Sequence, residues 1–354
     1  MSPLRYGLFT LGGLASLAAA VAGIAIYASH PGSNFYLIGW DELEHRAFAE
    51  LLLHGGGGSF VENAVNGAAI TGSAAWGTGF IIAGCEYLFG SDLSYIALKW
   101  VLHVLATLLL YRLLKKYRGE RVACYVAFFF LIYPPLLVYE ASFLKDDLVA
   151  ALVVITAAVI DRKSYLVAIP LLLLTIVVRA NAVLFPIIFL AYLRQARLRY
   201  VMVFSAIAVA AVAATIEGGF FLKLQTVLHL PVTTILFYVG KYLLGPLPTN
   251  ILNYDTEDVE ILPWYTLSFL GIIVGFFLPG FYASIRANWR WIVLLLGACL
   301  GPYLAYVNDF DIVGPRQFSV VGWLFFLLFY ERLLNYGFRF EPGRPGEVTW
   351  PAPT

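Results

Sequence analysis

Long apolar runs alternate with short polar stretches along most of the chain. A helix of ~20 apolar residues is long enough to cross a hydrocarbon core about 30 Å thick. The runs therefore predict an all-α, polytopic membrane protein with about ten transmembrane helices. The predicted spans are residues 7–28, 93–114, 121–139, 144–160, 164–178, 181–193, 200–222, 263–284, 290–307 and 317–334.

Composition supports this class of protein. Hydrophobic residues make up 61% of the 354 residues, charged residues make up 13%, and the mean hydropathy is +0.81. Soluble domains contain about 25% charged residues, so this composition excludes a soluble protein. The net charge of +1, with basic residues spread along the chain, gives no indication of nucleic-acid binding. The three cysteines lack metal-ligand spacing, and we expect no disulfide framework or redox role.

Basic and acidic residues separate into alternate loops, which predicts the topology. Cytoplasmic loops of membrane proteins carry an excess of Lys and Arg. With the N-terminus inside, these loops hold Arg112, Lys115, Lys116, Arg118, Arg121, Arg162, Lys163, Arg194, Arg197, Arg199, Arg286 and Arg290. The opposite loops are rich in Asp and Glu. We therefore expect the chemistry to face outward.

The first outer loop, about residues 29 to 92, is too long to be a simple connection. Residues 41–54 have the spacing of an amphipathic helix on the membrane surface, with Leu43, Ala47, Glu50, Leu51 and His54 in helical register and Asp41 at the N-cap. Four glycines follow, and residues 74–89 form a moderately apolar stretch that we predict to be re-entrant or interfacial.

We expect a single transmembrane domain over residues 1–340, because no soluble domain or convincing internal repeat interrupts the apolar pattern. Residues 341–354 are polar and proline-rich, which predicts an extended cytoplasmic tail. The small size and the absence of a retention signal favour a bacterial inner membrane, with the active site on the periplasmic side.

The segment from Trp40 to Arg46 concentrates five ionisable residues directly after the first span, which makes it a candidate active site. Asp41 and Glu42 are adjacent carboxylates at a helix start, and they cannot both point the same way. Their alternative role is to cap the helix and to favour its dipole. His45, one turn from Asp41, either shares a metal with it, holds its carboxylate by a hydrogen bond, or is a partly solvated interfacial histidine.

Three charged residues stand at the start of the span near residue 144, namely Lys145, Asp146 and Asp147. The lysine is suited to a lipid phosphate, while the alternative is two first-turn aspartates with a snorkelling lysine beside them. Arg179 and Asn181 lie at the outer boundary of another span, where a guanidinium would pair with a phosphate or anchor the helix.

The order of these features resembles a known family. "DELEHRAFAELLLHGGG", followed by "GTGFIIAGCEYLFGSDLSYIALKWVLHVLATLLLYRLLKKYRGERVACYVAFFFLIYPPLLVY", is similar to the opening half of integral-membrane glycosyltransferases of the protein-mannosyltransferase and aminoarabinose-transferase type, which have the GT-C fold. The likeness covers roughly residues 36 to 190 and returns weakly near Arg316. It rests on order and spacing rather than on one specific motif.

The resemblance implies transfer of a sugar from a polyprenyl-phosphate donor to a lipid, glycan or protein acceptor, usually with inversion. Asp41 matches the family's catalytic acidic position, with Glu42 as the second candidate. A carboxylate there would act as the general base and take the proton from the acceptor. Asp146 or Asp147 would assist at the same cavity, and Arg316 matches the family's terminal arginine on the donor phosphate. No cofactor is certain, metal dependence stays open, and a partner membrane protein could supply missing specificity.

Two other classes of function remain as alternatives. An O-antigen-type polymerase or ligase also acts on lipid-linked glycans, although outer-loop arginines dominate its site. A transporter or flippase places ionisable residues within the helical bundle. The charges in this sequence instead cluster in the outer loops, which favours the transferase.

Overall fold

The computed structural model describes residues 3–30, 35–37, 40–55, 62–63, 73–197, 231, 233, 277–305 and 320–336. Regular structure in these residues is helical, with no strand among them. The predicted span 200–222, most of the span 263–284, Arg316 and the predicted tail lie outside the described residues.

The described residues form α-helices and one short 3-10 helix. They are α1 (Pro3–Ser29), α2 (Trp40–His54), α3 (Ser73–Phe89), α4 (Ser94–Arg118), α5 (Glu120–Ile132), α6 (Pro134–Glu140), α7 (Asp146–Asp161), α8 (Tyr165–Val178), a 3-10 helix (Ala180–Val183), α9 (Leu184–Leu193), α10 (Pro279–Ala305) and α11 (Gly322–Tyr336).

Two described helices are long and apolar enough to cross a membrane, Tyr6–Ser29 within α1 and the whole of α4. A third span results if α5 and α6, which meet at 46°, are counted together. The bend lies at Tyr133, whose extended backbone precedes two prolines that disfavour a continuous helix. Of the ten predicted spans, two are therefore matched on length and composition, or three with the bent pair. Together with the high mean hydropathy, these helices indicate a helical membrane protein.

The core is built around α4 and α7, which pack against each other. Every residue of α7 from Asp146 to Ala158 is buried, as expected for a helix that is apolar on all sides. Close packing depends on Gly23 of α1, because a Cβ there would lie 2.1 Å from the carbonyl oxygen of Ala141. This contact brings the C-terminal half of α1 against residues 141–145, the segment between α6 and α7 that we call the site turn.

The basic loops predicted to be cytoplasmic meet at one end of the described structure. Asp161, at the end of α7, accepts hydrogen bonds from Lys116 at 2.7 Å, from Tyr117 at 2.5 Å and from Arg194 at 2.7 Å. These residues come from three different predicted loops, whose common end is thereby confirmed. The candidate site lies at the other end of the same helices.

The prediction of a loop between the spans 263–284 and 290–307 is wrong. Residues 286–290 instead lie within α10, which runs without a break from Pro279 to Ala305. The stretch contains two arginines but no glycine or proline, and arginine is a good helix former. The lower hydropathy of residues 286–290 therefore does not mark the end of a helix.

A helix is confirmed at residues 41–54, with two differences in detail. It begins at Trp40, so Asp41 lies in its first turn rather than at the N-cap. Its packed face carries Glu42, His45, Phe48, Ala49 and Leu52, which are buried, while Ala47 and His54 of the predicted row are exposed. The reason is α3, whose Gly79 lets the Phe48 ring approach its backbone closely.

Candidate active site

The site turn connects most of the candidate residues. The backbone N–H of Phe143 donates a hydrogen bond to Glu42 of α2 at 3.0 Å. Lys145, at the end of the turn, and Asp146 and Asp147, at the start of α7, are all buried. The two acidic regions predicted from separate outer loops therefore lie together at one end of the helices.

Glu42 and Asp41 differ in their surroundings, as expected for neighbours at a helix start. Glu42 is fully buried, and its carboxylate accepts hydrogen bonds from the Tyr27 hydroxyl and from the Phe143 N–H. It thereby joins α1, α2 and the site turn. Asp41 is half-buried. Asp41 is thus the more exposed of the two carboxylates.

Glu44, one helical turn after Asp41, is influenced by the charges of two candidate residues. The pKa of Glu44 is raised, because partial burial disfavours its charged form and the negative charge of Asp41 adds to this effect, while the positive charge of Lys145 opposes it. The charges of Asp41 and of Lys145 therefore both act on Glu44. Sequence reasoning did not single out Glu44, although it lies one turn from Asp41.

Asp147 is paired with Lys99, a residue that sequence reasoning missed. The Lys99 Nζ lies 3.0 Å from Oδ1 of Asp147, and both side chains are fully buried. The other carboxylate oxygen of Asp147, Oδ2, is buried without a hydrogen-bond partner among the described residues. A lysine inside an apolar span is itself a sign of function, because a charge in the membrane is costly.

A second missed group lies deeper between the helices. The Ser16 hydroxyl lies within hydrogen-bonding distance of both carboxylate oxygens of Glu140, at 2.9 and 3.0 Å, and Nδ1 of His103 is 3.5 Å from the same carboxylate. The Nε2 of His103 is 3.2 Å from the carbonyl oxygen of Phe130, which therefore favours a proton on Nε2. The spacing of Lys99 and His103, one turn apart on α4, could have revealed this buried polar row.

Asp146 pairs with Arg179, whose Nη2 lies 2.6 Å from its Oδ1. Arg179 follows α8 in an extended conformation, which turns the chain into the 3-10 helix that contains Asn181. Arg179 is predicted to face a phosphate, and the structure instead gives it a carboxylate partner. The Arg179 side chain is 14% exposed. Arg316, the other predicted phosphate ligand, lies outside the described residues.

His45 is buried on the face of α2 that packs against α3. The expectation of a partly solvated interfacial histidine is therefore wrong, because α3 covers this face. Within the described part of the chain, no group of three His, Cys, Asp or Glu side chains could hold a metal ion. The pair formed by Asp41 and His45 has no third ligand there.

Arg46, the last residue of the predicted candidate segment, contacts three parts of the chain around α2. Its Nε and Nη2 atoms both lie 3.0 Å from Oδ2 of Asp92, and its Nη1 donates to the carbonyl oxygen of Phe35. The guanidinium also lies 4.7 Å from the centre of the Phe143 ring, within the range of a cation–π interaction. This arrangement fixes α2 against the site turn and the loop before α4.

No protein-family model matches the chain, and neither does a curated protein or a solved structure. The fold and the site define a class only, that of a membrane protein whose described residues are helical and bury ionisable side chains near one end of the helices.

Proposed function

We propose that the protein is a glycosyltransferase that moves a sugar from a polyprenyl-phosphate donor to a lipid, glycan or protein acceptor at the membrane surface. In this proposal the chain has about ten spans in a GT-C arrangement. It lies in a bacterial inner membrane, and its site faces the periplasm. The proposal rests on the convergence of Asp41, Lys145 and two buried cation–carboxylate pairs at one end of membrane helices.

Asp41 is the proposed general base. Glu42 is occupied by the Tyr27 hydroxyl and the Phe143 N–H, which leaves Asp41 as the outer carboxylate of the pair. It would accept the proton of the acceptor hydroxyl or amine as the acceptor attacks the anomeric carbon and the bond to the lipid phosphate breaks. Attack from the side opposite to the leaving phosphate inverts the anomeric centre.

The cations beside the turn suit the leaving group. Lys145 and Arg179 would stabilise the phosphate of the lipid as its negative charge grows, with Arg316 as the third cation. Asp146 would orient Arg179 through their 2.6 Å contact, and Asp147 would assist through its buried Oδ2. Asn181 is retained as a substrate-side residue, whereas His45 is covered by α3 and is not. A divalent metal or a partner membrane protein remains compatible with this scheme.

The first experiment is transfer of radiolabelled sugar by the purified protein from a panel of polyprenyl-phosphate sugars to a membrane extract. Transfer that depends on one donor supports the proposal. Wild-type protein that transfers from no donor contradicts it, and would redirect attention to an O-antigen-type polymerase or ligase.

A transporter or flippase is the second candidate, and one observation favours it. Lys99, His103 and Glu140 are buried within the helices, although the sequence placed most charges in outer loops. Ionisable residues in such positions are typical of ion and substrate pathways. Reconstituted vesicles separate the two functions, because a flippase moves the labelled lipid across the bilayer without forming a new glycosidic bond.

A further inference from the structure

The ammonium group of Lys99 has three hydrogen-bond acceptors around it. Its Nζ lies 2.6 Å from the carbonyl oxygen of Tyr139, 3.0 Å from that of Leu144 and 3.0 Å from Oδ1 of Asp147. An ammonium carries three N–H donors, so these contacts use all of them. The side chain is fully buried. Lys99 is therefore in no position to touch a substrate.

The three acceptors lie before, within and after the site turn. Tyr139 is in the last turn of α6, Leu144 is within the turn, and Asp147 is in the first turn of α7. The last carbonyl groups of a helix carry partial negative charge, which a cation stabilises. One charge thus joins the end of α6, the turn and the start of α7.

Aromatic rings enclose the same point. The Tyr95 ring centre lies 5.2 Å from the Lys99 Nζ, and its hydroxyl donates to the carbonyl oxygen of Leu144 at 3.4 Å. The Tyr95 ring also stacks on the ring of Phe143, at 6.0 Å between centres. These contacts exclude water, so loss of the ammonium would leave two carbonyl groups and a carboxylate without this donor in a dry environment.

We propose that Lys99 is a positioning residue: its ammonium sets the conformation of residues 141–145, and thereby the place of Lys145 and Asp146 in the site. The effect on transfer rests on the proposed glycosyltransferase function, whereas the effect on the turn does not. Replacing a buried ion pair such as Lys99 and Asp147 by apolar side chains often costs little stability. Stability alone therefore does not require the charge of Lys99. Its hydrogen bonds to the carbonyl oxygens of Tyr139 and Leu144 give it a role in ordering the turn.

The test uses the full-length protein in detergent and compares Lys99→Met with the matched control Lys116→Met, an exposed lysine on the same helix that pairs with Asp161 at the other end. Amide hydrogen exchange is measured over residues 141–145 together with transfer kinetics. We expect Lys99→Met to raise exchange in the turn at least about tenfold and to lower kcat/KM about a hundredfold, since small displacements of reacting groups have effects of that size. Lys116→Met should leave both unchanged.

A second variant keeps the test decisive if Lys99→Met does not fold. Lys99→Ala is purified with propylammonium, which can occupy the vacated space and supply the missing donor. Removal of the amine should raise exchange in the turn and lower kcat, and its return should restore both. Unchanged exchange over residues 141–145 overturns the positioning role, as does a loss of activity that only follows the unfolded fraction. Absence of transfer by wild-type protein would instead contradict the glycosyltransferase proposal and leave the exchange result valid.

Discussion

Glu42 and Phe143 are 101 residues apart in the chain, and a 3.0 Å hydrogen bond from the Phe143 backbone N–H to the Glu42 carboxylate joins them. This bond connects the first outer loop to the turn before α7. Both acidic regions of the candidate site depend on it, because α2 carries Asp41 and the turn leads to Asp146.

Replacement of Glu42 by alanine should therefore destabilise the protein. The substitution leaves the Tyr27 hydroxyl and the Phe143 N–H buried without their acceptor, at about 1–3 kcal/mol for each group. Asp41→Ala, at the adjacent half-buried position, should change the free energy of unfolding by no more than about 1 kcal/mol. Thermal denaturation in detergent measures both. Equal stability of the two variants would show that Glu42 does not join the loops.

The packing of α1 on the site turn gives a second prediction. Gly23→Ala places a Cβ 2.1 Å from the carbonyl oxygen of Ala141, so backbone must shift and we expect a lower melting temperature. Gly13→Ala on the same helix meets no atom within 4 Å. This control should be neutral or stabilising by up to about 1 kcal/mol, because alanine is the better helix former. Indistinguishable effects of the two substitutions would contradict the close contact.

The pair formed by Arg179 and Asp146 should show strong coupling. Arg179→Met leaves a fully buried carboxylate without its 2.6 Å partner, which we expect to cost about 3–5 kcal/mol. The double variant Arg179→Met, Asp146→Leu removes both charges and should recover most of that stability. It should nevertheless remain inactive in transfer, because the proposed phosphate ligand is absent. Additive losses in a double-mutant cycle would exclude the coupling.

Asp161 at the basic end predicts a dependence of stability on acid pH. Partial burial raises its pKa, but hydrogen bonds from Lys116, Tyr117 and Arg194 outweigh this effect and lower the pKa from 3.8 to about 2. The folded state therefore prefers the charged form, so the contribution is complete above the unfolded pKa and is lost as the pH falls from about 4 towards 2.

Melting temperatures at pH 5 and pH 3 check this sign. Wild type should lose more stability over this interval than Asp161→Asn, which carries no titratable group at this position. A larger loss in Asp161→Asn than in wild type would reverse the assignment.

The positions of several helices were predictable because apolar runs in the sequence coincide with them. The limits of α1 and α4 follow from apolar runs of the right length, and the basic loops around Lys116 and Arg194 meet as their charge predicts. The continuity of α10 was not predictable in this way, since Arg286 lowers the local hydropathy without interrupting the backbone. At these residues hydropathy predicts a loop and helix propensity predicts a helix, and the structure has a helix.

The candidate site was predictable in its acidic residues and not in their partners. Asp41, Glu42, Asp146 and Asp147 stand at helix starts, where sequence patterns are clear. Their partners are distant in the chain: Glu42 needs Tyr27, and Asp147 needs Lys99. A single sequence contains no record of such pairs. Lys99 and His103 were overlooked because their span remains apolar on average despite them.

The central claim is that Asp41 is the general base of a sugar transfer, and the most direct measurement compares kcat of Asp41→Asn with that of wild type, using the donor that the wild type accepts. Glu50→Gln, an exposed carboxylate on the same helix, is the matched control. We predict that Asp41→Asn lowers kcat by about 10²–10⁴ while donor binding and folding are retained, and that Glu50→Gln remains fully active. Full activity of a folded Asp41→Asn protein would contradict the claim.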